Sequence, residues 1–153
     1  MKEIHDFTSR YDLDYFMGRL LGFLVANKFI LDPETHQIVQ NVLDAENAFY
    51  EQRLAGKLVP EALEIAEETL FQNVGLSQYD IVTEILMENY SDNFELDSEQ
   101  AMEYWTIRVL TEIPDLFEEF DASVIGIDRL ELDTNYNAVV GRIVNFMSDN
   151  GVQ

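Results

Sequence analysis

The sequence predicts an all-α fold, a single compact bundle of six or seven helices, and three observations carry that expectation. Apolar residues recur at i, i+3, i+4 and i+7 through most of the chain, the spacing that lays one apolar stripe along a helix. The three Pro and most of the seven Gly fall at the edges of those periodic runs, where helices start and stop. No repeat, linker or low-complexity tract divides the 153 residues, and a chain of this length buries roughly 68–70% of its unfolded surface in one core. One domain over 1–153 is therefore expected, with 1–11 as a loosely packed N-terminal arm.

The elements follow in order. Leu13, Phe16, Met17, Leu20, Leu21, Leu24 and Val25 form the most apolar helical stripe, expected at the centre of the core. Within that run, Gly18 and Gly22 stand four apart, which would let another helix approach closely. Asp32 before Pro33 reads as an N-cap and first helical residue, opening a second helix with Ile38, Val42, Ala45 and Phe49 inward and Gly56 as its stop. Pro60 opens a third helix, with Ala62, Ile65, Ala66, Thr69 and Leu70 inward and Gly75 closing it. Ser77 with Asp80 three residues on resembles a capping box, starting a fourth helix on Val82, Ile85, Leu86 and Tyr90.

Asp97 or Ser98 caps a fifth helix through Met102, Trp105, Val109 and Ile113, which Pro114 interrupts because it lacks a donor and clashes with the preceding turn. Asp115 to Phe120 then reads as a short, reoriented helical piece. Ala122 to Leu132 is expected to be irregular or a short β segment. Asp133 or Thr134 caps the last helix, with Tyr136, Val139, Val140, Ile143, Val144 and Met147 inward and an end near Gly151. In the pairs Tyr11/Tyr15 and Tyr104/Trp105, one ring each is expected near the surface.

Composition restricts the chemistry. With no Cys, thiolate catalysis, disulfides and Cys-built metal sites are excluded. The longest stretch free of charge, Thr69 to Tyr79, has 11 residues, against about 20 for a membrane-spanning helix. Met1 to Phe7 has no apolar leader pattern, so a cytoplasmic location is expected. Only two histidines occur. His5 and His36 lack the Glu-x-x-His spacing of di-iron bundles, and a zinc site of His36 with Glu34 or Asp32 weighs less than a solvated His36. Neither Asp92 nor Asp128 begins an EF-hand, and there is no nucleophile elbow or phosphate loop. Neither a cofactor nor a catalytic residue is assigned.

Charge is the other strong signal. Thirty acidic residues face nine basic ones, a net charge of −21, and all of it lies beyond Leu31. Such a chain repels nucleic acid and anionic lipid and attracts basic proteins. Glu61, Glu64 and Glu68 line the third helix, and Glu99, Glu103, Glu118 and Glu119 belong to a stretch, Glu95 to Asp121, with nine acids and one base, Arg108. A solvated face selected for solubility is the ordinary reading. The functional one is a non-enzymatic protein-interaction domain whose acidic surface receives a basic partner. A nucleic-acid mimic that inhibits a DNA-binding protein is the alternative, and a hydrolase using paired carboxylates comes third. A second copy of the chain is a further candidate partner, while direct nucleic-acid or membrane binding is not expected.

Glu64-Ile65-Ala66, Leu70-Phe71-Gln72, Leu76-Ser77-Gln78-Tyr79-Asp80 and Glu84-Ile85-Leu86 together resemble a bacterial domain family of unknown function. Its members are small, largely helical proteins of Bacteroides-type bacteria, some of them in mobile elements. Met87 stands where the family pattern has an aromatic. The resemblance implies a helical fold and carries no activity with it.

Overall fold

The computed structural model describes residues 11–31, 36–121 and 124–153. The fold is all-α, with six α-helices among the described residues: α1 (Leu13–Ala26), α2 (Gln37–Leu54), α3 (Val59–Leu70), α4 (Gln78–Tyr90), α5 (Glu99–Glu112) and α6 (Arg129–Asp149). A short 3-10 turn, Phe94–Leu96, links α4 to α5. Their contacts gather into two units. Residues 11–26, 31, 36–74 and 124–125 form the first, and 27–30, 75–121 and 126–153 the second. Of the expected N-terminal arm only Tyr11 is described, with its ring packed against Tyr15 and Phe49; the Asp32–Pro33 start lies outside the described residues.

In the first unit, Phe16, Leu20 and Leu24 of α1 are buried with Val42, Ala45 and Phe49 of α2 and Ala62, Ala66 and Leu70 of α3. The inward stripe of α1 is narrower than its composition suggests, because Leu13 and Val25 are exposed. Gly18 and Gly22 do not mediate a close helix contact: a Cβ at either position would meet nothing within 4 Å. Ala45, Ala62 and Ala66, all fully buried, are instead the small residues where α2 and α3 pack, a contact in which short side chains let two backbones come near.

One polar residue sits in that interface. Asn41 is 3% exposed, and its amide donates to the carbonyls of Leu70 at 3.0 Å and Gln72 at 2.7 Å while its oxygen accepts from Gln37 at 2.7 Å. It thereby satisfies carbonyls at the end of α3, which a helix C-terminus otherwise leaves unpaired. Asn41→Ala should therefore cost about 2 kcal/mol, the penalty of leaving buried acceptors unsatisfied. Urea denaturation checks this, and a loss below about 0.5 kcal/mol, the net worth of one weak exposed bond, would show that the carbonyls find other partners.

In the second unit, Ile81, Val82, Ile85, Leu86, Trp105, Val109, Leu116, Val139, Ile143 and Met147 share one core. The expected caps are present: the Ser77 hydroxyl accepts from the Asp80 N–H at 3.3 Å and Ser98 from Ala101 at 3.0 Å. Pro114 follows the end of α5 as expected. Asp115 to Phe120 is a run of turns closed by i, i+3 bonds rather than a helix, yet it buries Leu116 and Phe120. The last helix begins earlier than its expected cap. Asp128 accepts from the Glu131 N–H at 3.1 Å, so Asp133 and Thr134 lie inside α6 and Leu132 joins its buried stripe.

Gly75 does not close α3, which ends at Leu70. It lies beside a bridge in which Leu76 and Ile127 exchange N–H···O bonds of 2.7 and 2.8 Å. A Cβ on Gly75 would stand 2.3 Å from the Ile127 carbonyl oxygen. Gly126, with φ +78°, faces the same bridge from the other side, its missing Cβ 2.5 Å from the Leu76 oxygen and 2.7 Å from the Phe29 ring. Within 124–132 the β expectation is met by two isolated bridges, Val74 with Ile125 and Leu76 with Ile127.

Candidate functional site

The seven acids singled out from the sequence fall in both units. Glu61, Glu64 and Glu68 lie exposed along α3 of the first; Glu99 and Glu103 on α5, with Glu118 and Glu119 in the turns beyond it, lie in the second. Glu118 and Glu119 are held by Arg142 of α6, at 3.7 and 2.9 Å, and the same guanidinium donates to the Leu116 carbonyl at 2.8 Å. This arginine pins the turns to α6, and its hydrogen bond holds the Glu119 carboxyl below the usual carboxylate range. Glu112 is likewise held down by Arg108, which stacks over Trp105 and Phe146 and also donates to Asn150 at 2.8 Å. Both shifts run opposite to what a general acid needs.

Among the described residues, no base lies in ion-pair range of Glu61, Glu64, Glu68, Glu99 or Glu103. Glu61, Glu64 and Glu68 advance about 5 Å along the axis per charge at 1.5 Å rise per residue, whereas a DNA duplex presents one charge per roughly 1.7 Å. A single helix row of this density is too sparse to copy a duplex. Self-repulsion should register in stability: raising ionic strength from about 0.01 to about 0.1 M shortens the Debye length from about 30 to about 10 Å, and the melting temperature should rise by a few degrees. A melting temperature indifferent to salt would contradict this.

The second unit carries a groove that sequence reasoning did not single out. It opens between α4 and α5, with a volume of about 700 Å³. Tyr79, Met87, Leu96 and Met102 supply its apolar surface, and Met87 is 55% exposed. Asp97, Glu99 and Glu103 form an acidic rim. Thr83 and Thr106 share a 3.0 Å hydroxyl bond that ties the two helices side by side. At one end Lys28 places its Nζ 4.5 Å from the centre of the Tyr79 ring. Its backbone has φ +59°, and its carbonyl accepts from the Ser77 hydroxyl at 3.4 Å, so the loop that presents this ammonium is fastened to the start of α4. The available signal was Tyr79, Thr83 and Met87 at intervals of four, a second stripe beside the core residues Val82 and Leu86.

A polar cleft elsewhere in this unit gathers Asp80, Glu84, Glu88, Arg129 and Asp133 about Tyr136. The Tyr136 hydroxyl donates to Glu88 at 2.8 Å. Its phenol is pushed up to about 12 by burial first, then by that hydrogen bond and by the charges of Glu88 and Glu84. Because the folded state favours the neutral phenol, the associated stability is whole below the unfolded value near 10 and is lost as pH rises toward 12. His36 is exposed at the start of α2 and makes no side-chain cap. Its supposed zinc partners Asp32 and Glu34, and His5, lie outside the described residues. Among the described residues no three His, Asp or Glu side chains converge for a metal, and no helix is long and apolar enough to cross a membrane.

Fold and composition together define an acidic, all-α protein. Residues 8–152 match the family described as a domain of unknown function, DUF1896, and the chain belongs to that family. The likeness read on Glu64 to Leu86 thus extends over nearly the whole chain. In three dimensions the chain is similar to the crystal structure of protein PG0816 from Porphyromonas gingivalis. The TM-score is 0.64 at 24% identity, over 95% of this chain and 97% of that one. At that identity the likeness concerns the fold. No curated protein matches the chain.

Proposed function

We propose that this chain is a non-catalytic interaction domain that holds a basic protein partner against its anionic surface. The observation that carries this reading is the excess of uncompensated exposed carboxylates. Arg19, Arg108 and Arg142 are each already committed, to Glu67, Glu112 and the Glu118/Glu119 pair, while Glu61, Glu64, Glu68, Glu99 and Glu103 face solvent. Solubility alone asks for a net charge of about 2 to 8 in magnitude for a small domain, and this chain carries −21. Charge beyond that need destabilises the compact state, so a partner that neutralises it gains both attraction and relief of repulsion.

The test is retention from nuclease-treated host-cell extract on the immobilised protein, eluted with a salt gradient. Strongly basic polypeptides should be retained at physiological salt and released as salt rises. Retention of nothing, or of polypeptides without basic bias, would contradict the proposal. If the retained polypeptides are DNA-binding proteins and this chain blocks their binding to duplex DNA, mimicry becomes the better description.

A further inference from the structure

Resting on that reading, we infer that the α4/α5 groove is the docking site and that its occupant is a basic amphipathic helix of the partner protein. Three features point there. Tyr79 to Ser91, both lining the groove, span about 18 Å of helix at 1.5 Å per residue, the length of roughly three turns of a second helix laid alongside. The groove floor is apolar where Met87 and Met102 face it, and methionine's unbranched thioether adapts to varied partner side chains. The rim is acidic, so a helix with one apolar face and flanking Lys or Arg meets complementary chemistry on both.

The chain itself shows how an ammonium sits there. Lys28 places its Nζ over the Tyr79 ring, a cation–π contact of the kind that gains strength on desolvation. Among the described residues, Lys28 is the single base lining the groove, against the three carboxylates of the rim. A second copy of this chain is disfavoured as occupant, because each copy brings −21 and like charges across an interface oppose association.

A Leu/Lys peptide of about 14 residues, patterned to place all Leu on one helical face, is the probe. Titrated into the full-length protein at physiological salt, it should bind with a micromolar Kd. Glu99→Lys with Glu103→Lys should weaken binding by about tenfold or more, whereas Glu61→Lys with Glu64→Lys, the same charge change on α3, should alter it by less than about twofold. Met87→Gln should weaken it by about fivefold, through loss of apolar contact with almost no change in charge. Circular dichroism confirms that each variant folds, and all five positions are exposed. Equal weakening by the two lysine pairs would overturn the groove assignment and leave the general acidic-surface reading standing. Absence of peptide binding even at low salt would overturn both.

Discussion

Gly75→Ala should lower the stability of the fold by about 3 kcal/mol, the sum of a forced backbone contact and a parted hydrogen-bond pair. The added Cβ would lie 2.3 Å from the Ile127 carbonyl oxygen and 2.6 Å from its carbon. Backbone atoms cannot rotate aside as a side chain does. Relief requires separating the Leu76 and Ile127 segments, whose exchanged bonds of 2.7 and 2.8 Å would lose their geometry, and Ile127 is 2% exposed. For a chain of about 150 residues this corresponds to a drop in melting temperature of roughly 6 to 12 °C. The effect should reach the groove too, since the bridge stands directly before Ser77, which caps α4 and bonds Lys28. Calorimetry checks the prediction, and a melting temperature within about 2 °C of the parent, the shift expected of less than 1 kcal/mol, would mean the clamp gives way freely.

Phe49→Ala should cost about 3 to 5 kcal/mol, as for large aromatic truncations in well-packed interiors. Phe49 is fully buried on α2. Its ring lies 5.4 Å from Tyr11 and 6.4 Å from Phe16, both tilted, and 6.4 Å from Tyr50. Truncation removes those ring contacts and leaves a cavity beside Phe16 of α1, itself fully buried. Phe49→Leu, which refills most of the volume, should recover more than half of the loss. Denaturant midpoints for the two variants measure the difference, and equal destabilisation by both would refute the cavity account.

The helices and their starts were legible because local chemistry fixes them. Ser77 and Ser98 cap through their own hydroxyls, and Gly56 and Gly151 take positive φ just past helix ends, so neighbours within four residues suffice to read them. The start of α6 lies at Asp128 rather than at the expected Asp133 or Thr134, although Asp128 with Glu131 carries the same capping pattern and the apolar spacing Leu132, Tyr136, Val139 and Ile143 continues back to it. What depends on distant partners was not legible. Gly75 looks like a helix stop until Ile127 is placed beside it, and Asn41 looks like an interruption of an apolar face until the carbonyls of Leu70 and Gln72 arrive.

The acids divide in the same way. The sequence identified them as a group, but only tertiary structure commits Glu118 and Glu119 to Arg142 and sets Glu99 and Glu103 on the rim of an apolar groove. That groove exists because α4 carries two stripes, Val82, Ile85 and Leu86 toward the core and Tyr79, Thr83 and Met87 toward α5, and periodicity alone cannot assign the second to a core or to an opening.

Residues kept for binding rather than folding should stabilise the protein when removed, since their repulsion no longer opposes the compact state. The direct test neutralises Glu61, Glu64, Glu68, Glu99 and Glu103 together to Gln and measures melting temperature and retention of basic polypeptides on the same preparation. A higher melting temperature at low salt together with lost retention is the expected result. A variant that melts no higher and still retains them would contradict it.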